Sequence, residues 1–235
     1  MTTTPALHAV SSREELAALH RDILVPSFPA DEQMPLEAFV ASADDPDSQV
    51  LTLRDDHGVD VALTVGWFHR ASGVLLLVYL AVRPGIRGGG YGGRLLTAAL
   101  ERWQADYSPT YIVGEVERPG DRLDADEAHG DAEARLRFYR RFGARRAAAP
   151  FFQPAPGPEG RRVPMHLMLV HASPDALPDG RAFTGDDPRL PVAAAPLSAF
   201  VAAYIEGSEG TVPADDEALA LLAALAGERV DTTPL

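Results

Sequence analysis

A chain of 235 residues with 46% hydrophobic content is long enough for one substantial core and an appendage. Its 21 basic and 34 acidic residues leave a net charge of −13, which argues against nucleic acid and anionic membrane surfaces as partners. Cysteine is absent, which excludes disulfides, thiolate metal sites and a cysteine nucleophile.

The first residues lack the basic-then-apolar pattern of a signal peptide, and no window of ~18 apolar residues exists, so a cytoplasmic protein is expected. The basic residues are all arginine and alanine is abundant, which reads as a GC-rich, bacterial origin. In chain order, Ser12-Arg-Glu-Glu15 is a capping box. It starts a helix whose Leu16, Leu19 and Ile23 share a stripe, ended by Pro26. Phe28 to Gln33 reads as a loop, and Pro35 opens a second short helix.

Val50–Arg54, Val59–Phe68 and Val74–Val82 then read as an antiparallel meander, joined by turns at Asp55–Gly58 and Ala71–Gly73. Thr110–Glu117 reads as a further strand and Ala132–Phe142 as a helix capped by Gly143. Ala134, Phe138 and Phe142 are assigned to the apolar face of that helix. Arg145–Gln153 and Val163–His171 form an expected hairpin, with His166 and His171 at odd separation and so on opposite faces. No histidine pair has helical ligand spacing, so no metal site is expected.

Residues 173–195 are rich in Pro, Gly and Asp and read as a linker. Leu197–Ile205 and Ala214–Ala226 read as helices of an extension, 196–235, that is too short to fold alone and carries no acid–base constellation. Its Leu/Ala face must dock on the core, on a partner, or on a second copy in a homodimer. The expected organisation is a domain over 1–172, the linker 173–195, and the helical extension 196–235.

The densest signal follows the third strand of the meander. Ala81-Val82-Arg83-Pro84 runs into Arg87-Gly88-Gly89-Gly90-Tyr91-Gly92-Gly93-Arg94, and an amphipathic helix follows. A glycine turn opening a helix gathers backbone N–H groups and the positive end of the helix dipole, which suits a pyrophosphate. Arg87 adds a fixed charge for phosphate oxygens. Gly88, Gly90 and Gly93 fit the dinucleotide fingerprint, with Glu115 ~20 residues on, so a nucleotide-dependent oxidoreductase binding NAD must be weighed. That reading needs a βαβ unit in a parallel sheet, whereas the preceding strands read as an antiparallel meander.

The alternative pattern, Arg/Gln-x-x-Gly-x-Gly/Ala after Val-x-Pro, fits Arg87 to Gly92 after Val82-Arg-Pro84. Here the chain resembles the GNAT superfamily of acyl-CoA-dependent N-acyltransferases. A second match lies downstream: Gly114-Glu115-Val116-Glu117 resembles the fifth strand, and Phe138-Tyr139-Arg-Arg-Phe142-Gly143 the last helix of the GNAT core. The resemblance covers roughly residues 50–171. It implies an α/β GNAT fold, a mixed, strongly twisted sheet flanked by helices. It also implies that Ala81, Val82, Arg87, Gly88, Gly89, Gly90, Tyr91, Gly92, Gly93 and Arg94 hold acetyl-CoA.

The resemblance further implies that Glu115 is the general base, with Glu117 in reserve on the same strand face, and that Tyr139 is the acid for the departing thiolate. An alkyl amine is mostly protonated at neutral pH, and a carboxylate can take that proton directly or through water. No covalent enzyme intermediate is needed. The first two helices of this fold wall the acceptor site, so Phe28, Asp31 and Glu32 are expected to touch the substrate. One departure is clear: no Asn precedes the last helix, and the link from Glu117 to Asp131 is long, with six acids against two arginines. Such a rim suits a cationic acceptor. The expected activity is acetyl transfer to a primary amine of a small molecule or peptide. Two alternatives are a catalytically silent acyl-CoA-binding module and an enzyme using a longer acyl or carrier-protein thioester.

Overall fold

Ten strands, six α-helices and several short 3-10 and π turns lie in the described residues of a computed structural model, which are 5–86, 88–119, 132–155, 160–211 and 214–235, without the side chain of Asp31. The class is α/β as expected, with mostly antiparallel strands flanked by helices. The chain divides into two units, 1–68 with 77–108, and 69–76 with 109–235.

In the first unit, β1 (Ala6–Val10), β2 (Ser48–Arg54), β3 (Asp60–His69, through Phe68) and β4 (Val74–Val82, from Leu77) lie in that order. β1 pairs antiparallel with β2 from Ala6↔Arg54 to Val10↔Val50. β2 pairs antiparallel with β3, with a register shift before Arg54. Helix α1 (Arg13–Leu19) starts at Ser12, whose hydroxyl accepts from the Glu15 N–H at 3.4 Å. The chain continues as a π-helical turn, His20–Leu24, so the stripe Leu16, Leu19, Ile23 stays continuous and buried. Phe39 anchors α2 (Leu36–Ala41) in the same core cluster.

Helix α3 (Tyr91–Tyr107) buries Leu95, Leu96, Ala99 and Trp103, four residues at helical spacing. Trp103 lies against β3 at Gly66, where a Cβ would sit 2.7 Å from the indole ring. The missing side chain at 66 is what lets this helix approach the strand, and so sets where its N-terminus projects.

The second unit contains β5 (Tyr111–Glu117), α4 (Ala132–Arg140), β6 (Arg145–Ala147), β7 (Phe152–Gln153), β8 (Val163–Ala172), β9 (Leu190–Ala193), α5 (Ala194–Glu209), α6 (Asp216–Ala224) and β10 (Arg229–Pro234). Its strand order is β5-β8-β6-β10-β9, with β7 paired to β8. The fully buried Arg145 ties this sheet together, donating to Thr232 Oγ1, Thr232 O and Thr184 O at 2.7–2.9 Å. Its burial among neutral acceptors pushes its pKa down.

Four details differ from the sequence reading. β1 is not read from the sequence. The polar stretch 173–195 ends in β9, and the last residues form β10, antiparallel to both β6 and β9. The inward face of α4 is Leu136 and Tyr139, while Ala134 is exposed and Phe138 and Phe142 are half-buried, 5.1 Å apart. The inward face is the one packed on β5, not the one with most aromatic carbon. Finally, the β5–β8 register passes from Ile112↔His171 to Val113↔Leu169. This bulge adds one residue to β8 and so puts His166 and His171 on the same face, not opposite ones.

The Leu/Ala face of the extension is buried, with Leu197, Phe200, Val201, Ile205, Leu221 and Leu225 all fully inaccessible.

Candidate active site

The glycine turn belongs to the first unit. Its feeding strand is a core strand: Ala81 is buried in the cluster that holds Val10, Leu63 and Tyr79. Val82 is half-buried. Past the strand, the Arg83 N–H bonds Val61 O at 2.9 Å, which holds the root of the turn to β3. Gly88 (φ 93°) and Gly90 (φ 74°) then adopt the left-handed region that side chains disfavour. A Cβ at either would meet nothing within 4 Å, so the backbone there faces open space.

Gly90 is the N-cap of α3 and accepts from the Arg94 N–H at 3.1 Å. The first N–H groups of a helix have no intrahelical partner and carry the positive end of its dipole. Gly92 and Gly93 are half-buried in this first turn and Arg94 is exposed. Gly89 has a different reason to be glycine: a Cβ would lie 2.8 Å from the Tyr91 ring, which folds back over it. Tyr91 thus packs on the turn it follows. Arg87 lies outside the described residues.

The proposed acceptor-side residues lie in the same unit. The Phe28 ring packs on Tyr79 of β4, with centroids 4.9 Å apart. The Tyr79 hydroxyl donates to Glu32 O at 2.7 Å and accepts from the Met34 N–H at 2.9 Å. Gln33 Nε2 closes the loop by donating to Phe28 O at 2.7 Å and Val25 O at 3.1 Å. One tyrosine therefore fixes both Phe28 and the backbone of Glu32 against β4. Asp31 follows the same backbone, its side chain outside the description.

The proposed acid–base residues belong to the second unit. Glu115 and Glu117 are half-buried on one face of β5, opposite Leu167 and Met165 of β8. Their surroundings differ. Glu117 is bound to Arg135 of α4 at 2.7 Å. Glu115 Oε2 instead accepts from two neutral donors, Gln153 Nε2 at 3.0 Å and the Tyr204 hydroxyl at 3.2 Å.

Neither Gln153 nor Tyr204 was legible as a site residue. They are 38 and 89 positions from Glu115 and carry no local motif. Tyr204 belongs to the extension, which reads as carrying no acid–base constellation, and its hydroxyl nonetheless reaches Glu115. Arg118, next after Glu117, donates to Met165 O and Phe151 O at 3.1 and 2.8 Å, and so holds the β7 segment to the end of β5.

Tyr139 is buried on the inward face of α4. Burial pushes its phenol up to about 12, against the opposing charge of Arg135 one turn earlier. The phenol is therefore protonated throughout the neutral range. Gly143 (φ 72°) ends the helix, and the Ala144 N–H returns to Tyr139 O at 3.2 Å, which closes the cap on the tyrosine itself.

The acidic stretch from Asp121 to Asp131 lies outside the described residues. Among the described residues, no group of three or more histidines and carboxylates is placed to hold a metal ion. None of their helices is long and apolar enough to cross a membrane.

No family model and no curated protein matches this chain. Solved structures do. It is similar to a chain described as an acetyltransferase of the GNAT family from Bacteroides thetaiotaomicron, with 25% identity and a TM-score of 0.54 over 70% of this chain and 85% of that one. It is also similar to a chain described as an acetyltransferase from Salmonella typhimurium with its cofactor acetyl-CoA, at 16% identity and TM-score 0.51, over 74% and 99% of the two chains. A GNAT-family chain from Desulfovibrio desulfuricans matches at 18% identity and TM-score 0.50, over 72% and 100%. The chain shares its fold with these GNAT-family acetyltransferase structures.

Proposed function

We propose that the protein is an N-acetyltransferase that moves an acetyl group from acetyl-CoA to a primary amine of a small molecule or peptide. The observation that carries this is the turn between β4 and α3. Gly88 and Gly90 leave backbone open to within phosphate contact, at a helix start, in a fold shared with an acetyltransferase whose structure holds acetyl-CoA. A side chain at either glycine would fill the space a pyrophosphate needs. The N–H groups of the first turn of α3 and Arg87 would hold the phosphates, and the backbone of Ala81 and Val82 would line the pantetheine arm. When bound, acetyl-CoA supplies the acyl thioester.

The chain's own residues then divide the proton work. Glu115, held by Gln153 and Tyr204, takes the proton that leaves the amine. Glu117 keeps Arg135 in place between β5 and α4. Tyr139 faces a limit of magnitude: a phenol at about 12 is a weaker acid than a thiol near ~8.5, so full transfer to sulfur is uphill. Its role is hydrogen-bond donation to a developing thiolate, with proton exchange following. Phe28, Glu32 and Asp31 would line the acceptor side. The acyltransferase domain is assigned to 1–172, followed by a connection over 173–195 and an extension over 196–235 that supplies Tyr204.

A ligand panel followed by thermal unfolding tests the donor. Acetyl-CoA at a hundredfold excess over its Kd should stabilise the protein by ~2.7 kcal/mol. Gly90→Val, which forces a β-branched residue to positive φ, should abolish the shift. Stabilisation by NAD with none by acetyl-CoA or coenzyme A would overturn the reading in favour of an oxidoreductase.

A further inference from the structure

The extension reaches Glu115 through one side chain. Tyr204 sits on α5, outside the region that resembles the GNAT core, and its hydroxyl donates to Glu115 Oε2 at 3.2 Å. Its ring is stacked on Phe200, 5.5 Å between centroids and 18° from parallel, and Phe200 is fully buried. The ring is thus held from behind while the hydroxyl points at the carboxylate. Gln153 of β7 donates to the same oxygen at 3.0 Å.

One arginine fastens the elements that carry the two donors. Arg162, just before β8, places its guanidinium 4.4 Å above the Phe152 ring, next to Gln153. It grips both carboxylate oxygens of Glu209, the last residue of α5, at 2.7 Å. The same guanidinium holds both oxygens of Asp215, the N-cap of α6, at 2.7 and 2.8 Å. Glu209 also accepts from the Ala155 N–H at 3.2 Å. The hairpin bearing Gln153 and the helix bearing Tyr204 are therefore joined at their bases.

We propose that Tyr204 and Gln153 are positioning residues for Glu115, and that the C-terminal extension thereby completes the catalytic base. This rests on the reading of Glu115 as the base. Two neutral donors on one carboxylate oxygen fix its rotamer and favour its ionised form, the form that accepts a proton from an amine. A structural helix would need no hydroxyl aimed at that oxygen, since the Phe200 stack already holds the ring.

The test uses the full chain with acetyl-CoA and a panel of an alkyl diamine, an amino-acid amide and a short peptide, reading coenzyme A thiol release. Tyr204→Phe keeps the stack and removes only the donor. It should lower kcat/KM ~10-fold, leave acetyl-CoA affinity and thermal stability near wild type, and move the acid limb of the profile to higher pH. Gln153→Met should act in the same direction. In a Glu115→Gln background, Tyr204→Phe should cost nothing further, because the two act through one carboxylate.

A readout without acceptor uses glutamate labelled with ¹³C at the carboxyl, the Glu115 resonance being the one lost in Glu115→Gln. Its titration midpoint should rise in Tyr204→Phe. An unchanged midpoint, or a Tyr204→Phe protein with wild-type rate and pH profile beside an impaired Glu115→Gln, overturns this proposal alone. A Glu115→Gln protein as active as wild type removes the base reading and this proposal with it.

Discussion

Trp103 lies on Gly66: a Cβ built on the glycine would come within 2.7 Å of the indole, and the indole is fully buried. Through this contact β3 dictates the position of α3, whose first turn is the proposed phosphate cradle. Gly66→Ala must therefore shift either the strand or a large ring with no room to move. Overpacking of this kind costs ~1–3 kcal/mol. Chemical denaturation should show that loss, together with weaker acetyl-CoA binding. A Gly66→Ala protein as stable as wild type would mean that the helix is not seated by this contact.

The Arg162 cluster predicts a pH dependence. Hydrogen bonds from Arg162 hold the Glu209 and Asp215 carboxyls below their usual range. A carboxylate lowered in the folded state contributes stability that is fully present above its unfolded value, ~4, and is lost as pH falls toward the folded one. The wild type should thus outlast Arg162→Met in thermal unfolding at neutral pH, and the gap should close progressively below about pH 4. Salt should narrow it less than it would for an exposed pair, because the guanidinium is 19% exposed. A gap that persists unchanged at acid pH would assign the effect to packing on Phe152.

Two carboxylates on one strand face predict a split. Glu115→Gln should lower kcat by ~10²–10⁴-fold. Glu117→Gln, which frees Arg135, should act mainly through the position of α4 and cost far less turnover. Tyr139→Phe should lower kcat with little change in acetyl-CoA affinity. Steady-state kinetics with a responsive amine decide among these. A fully active Glu115→Gln beside a dead Glu117→Gln would move the base two residues along β5.

The parts of this architecture written in local sequence were legible as such. Val74–Val82 is bounded by a Gly turn and by Val-x-Pro, and the strand occupies those residues. Ser12 and Gly143 mark helix ends by side-chain chemistry that acts within a few residues. What escaped depends on distant partners. β1 buries only Val10 and exists through its pairing with β2. β10, Arg-Val-Asp-Thr-Thr-Pro, buries Val230 and Thr232 but exists because β6 and β9 flank it. Glu115 is singled out by its motif, whereas the two donors on its carboxylate are brought to it only by tertiary structure. The same holds for α4, where β5 and not composition chose Leu136 and Tyr139 as the inward face.

Transfer itself is the central claim, and mass spectrometry of amine products tests it most directly. The wild-type protein, incubated with acetyl-CoA and a panel of primary amines and short peptides, should yield an N-acetylated amine and an equal amount of free coenzyme A. Both should fall together in Gly90→Val and in Glu115→Gln, the first through lost binding and the second with binding intact. Acetyl-CoA binding with no acetylated product and no thiol release across the panel would contradict the account and leave a binding module in place of an enzyme.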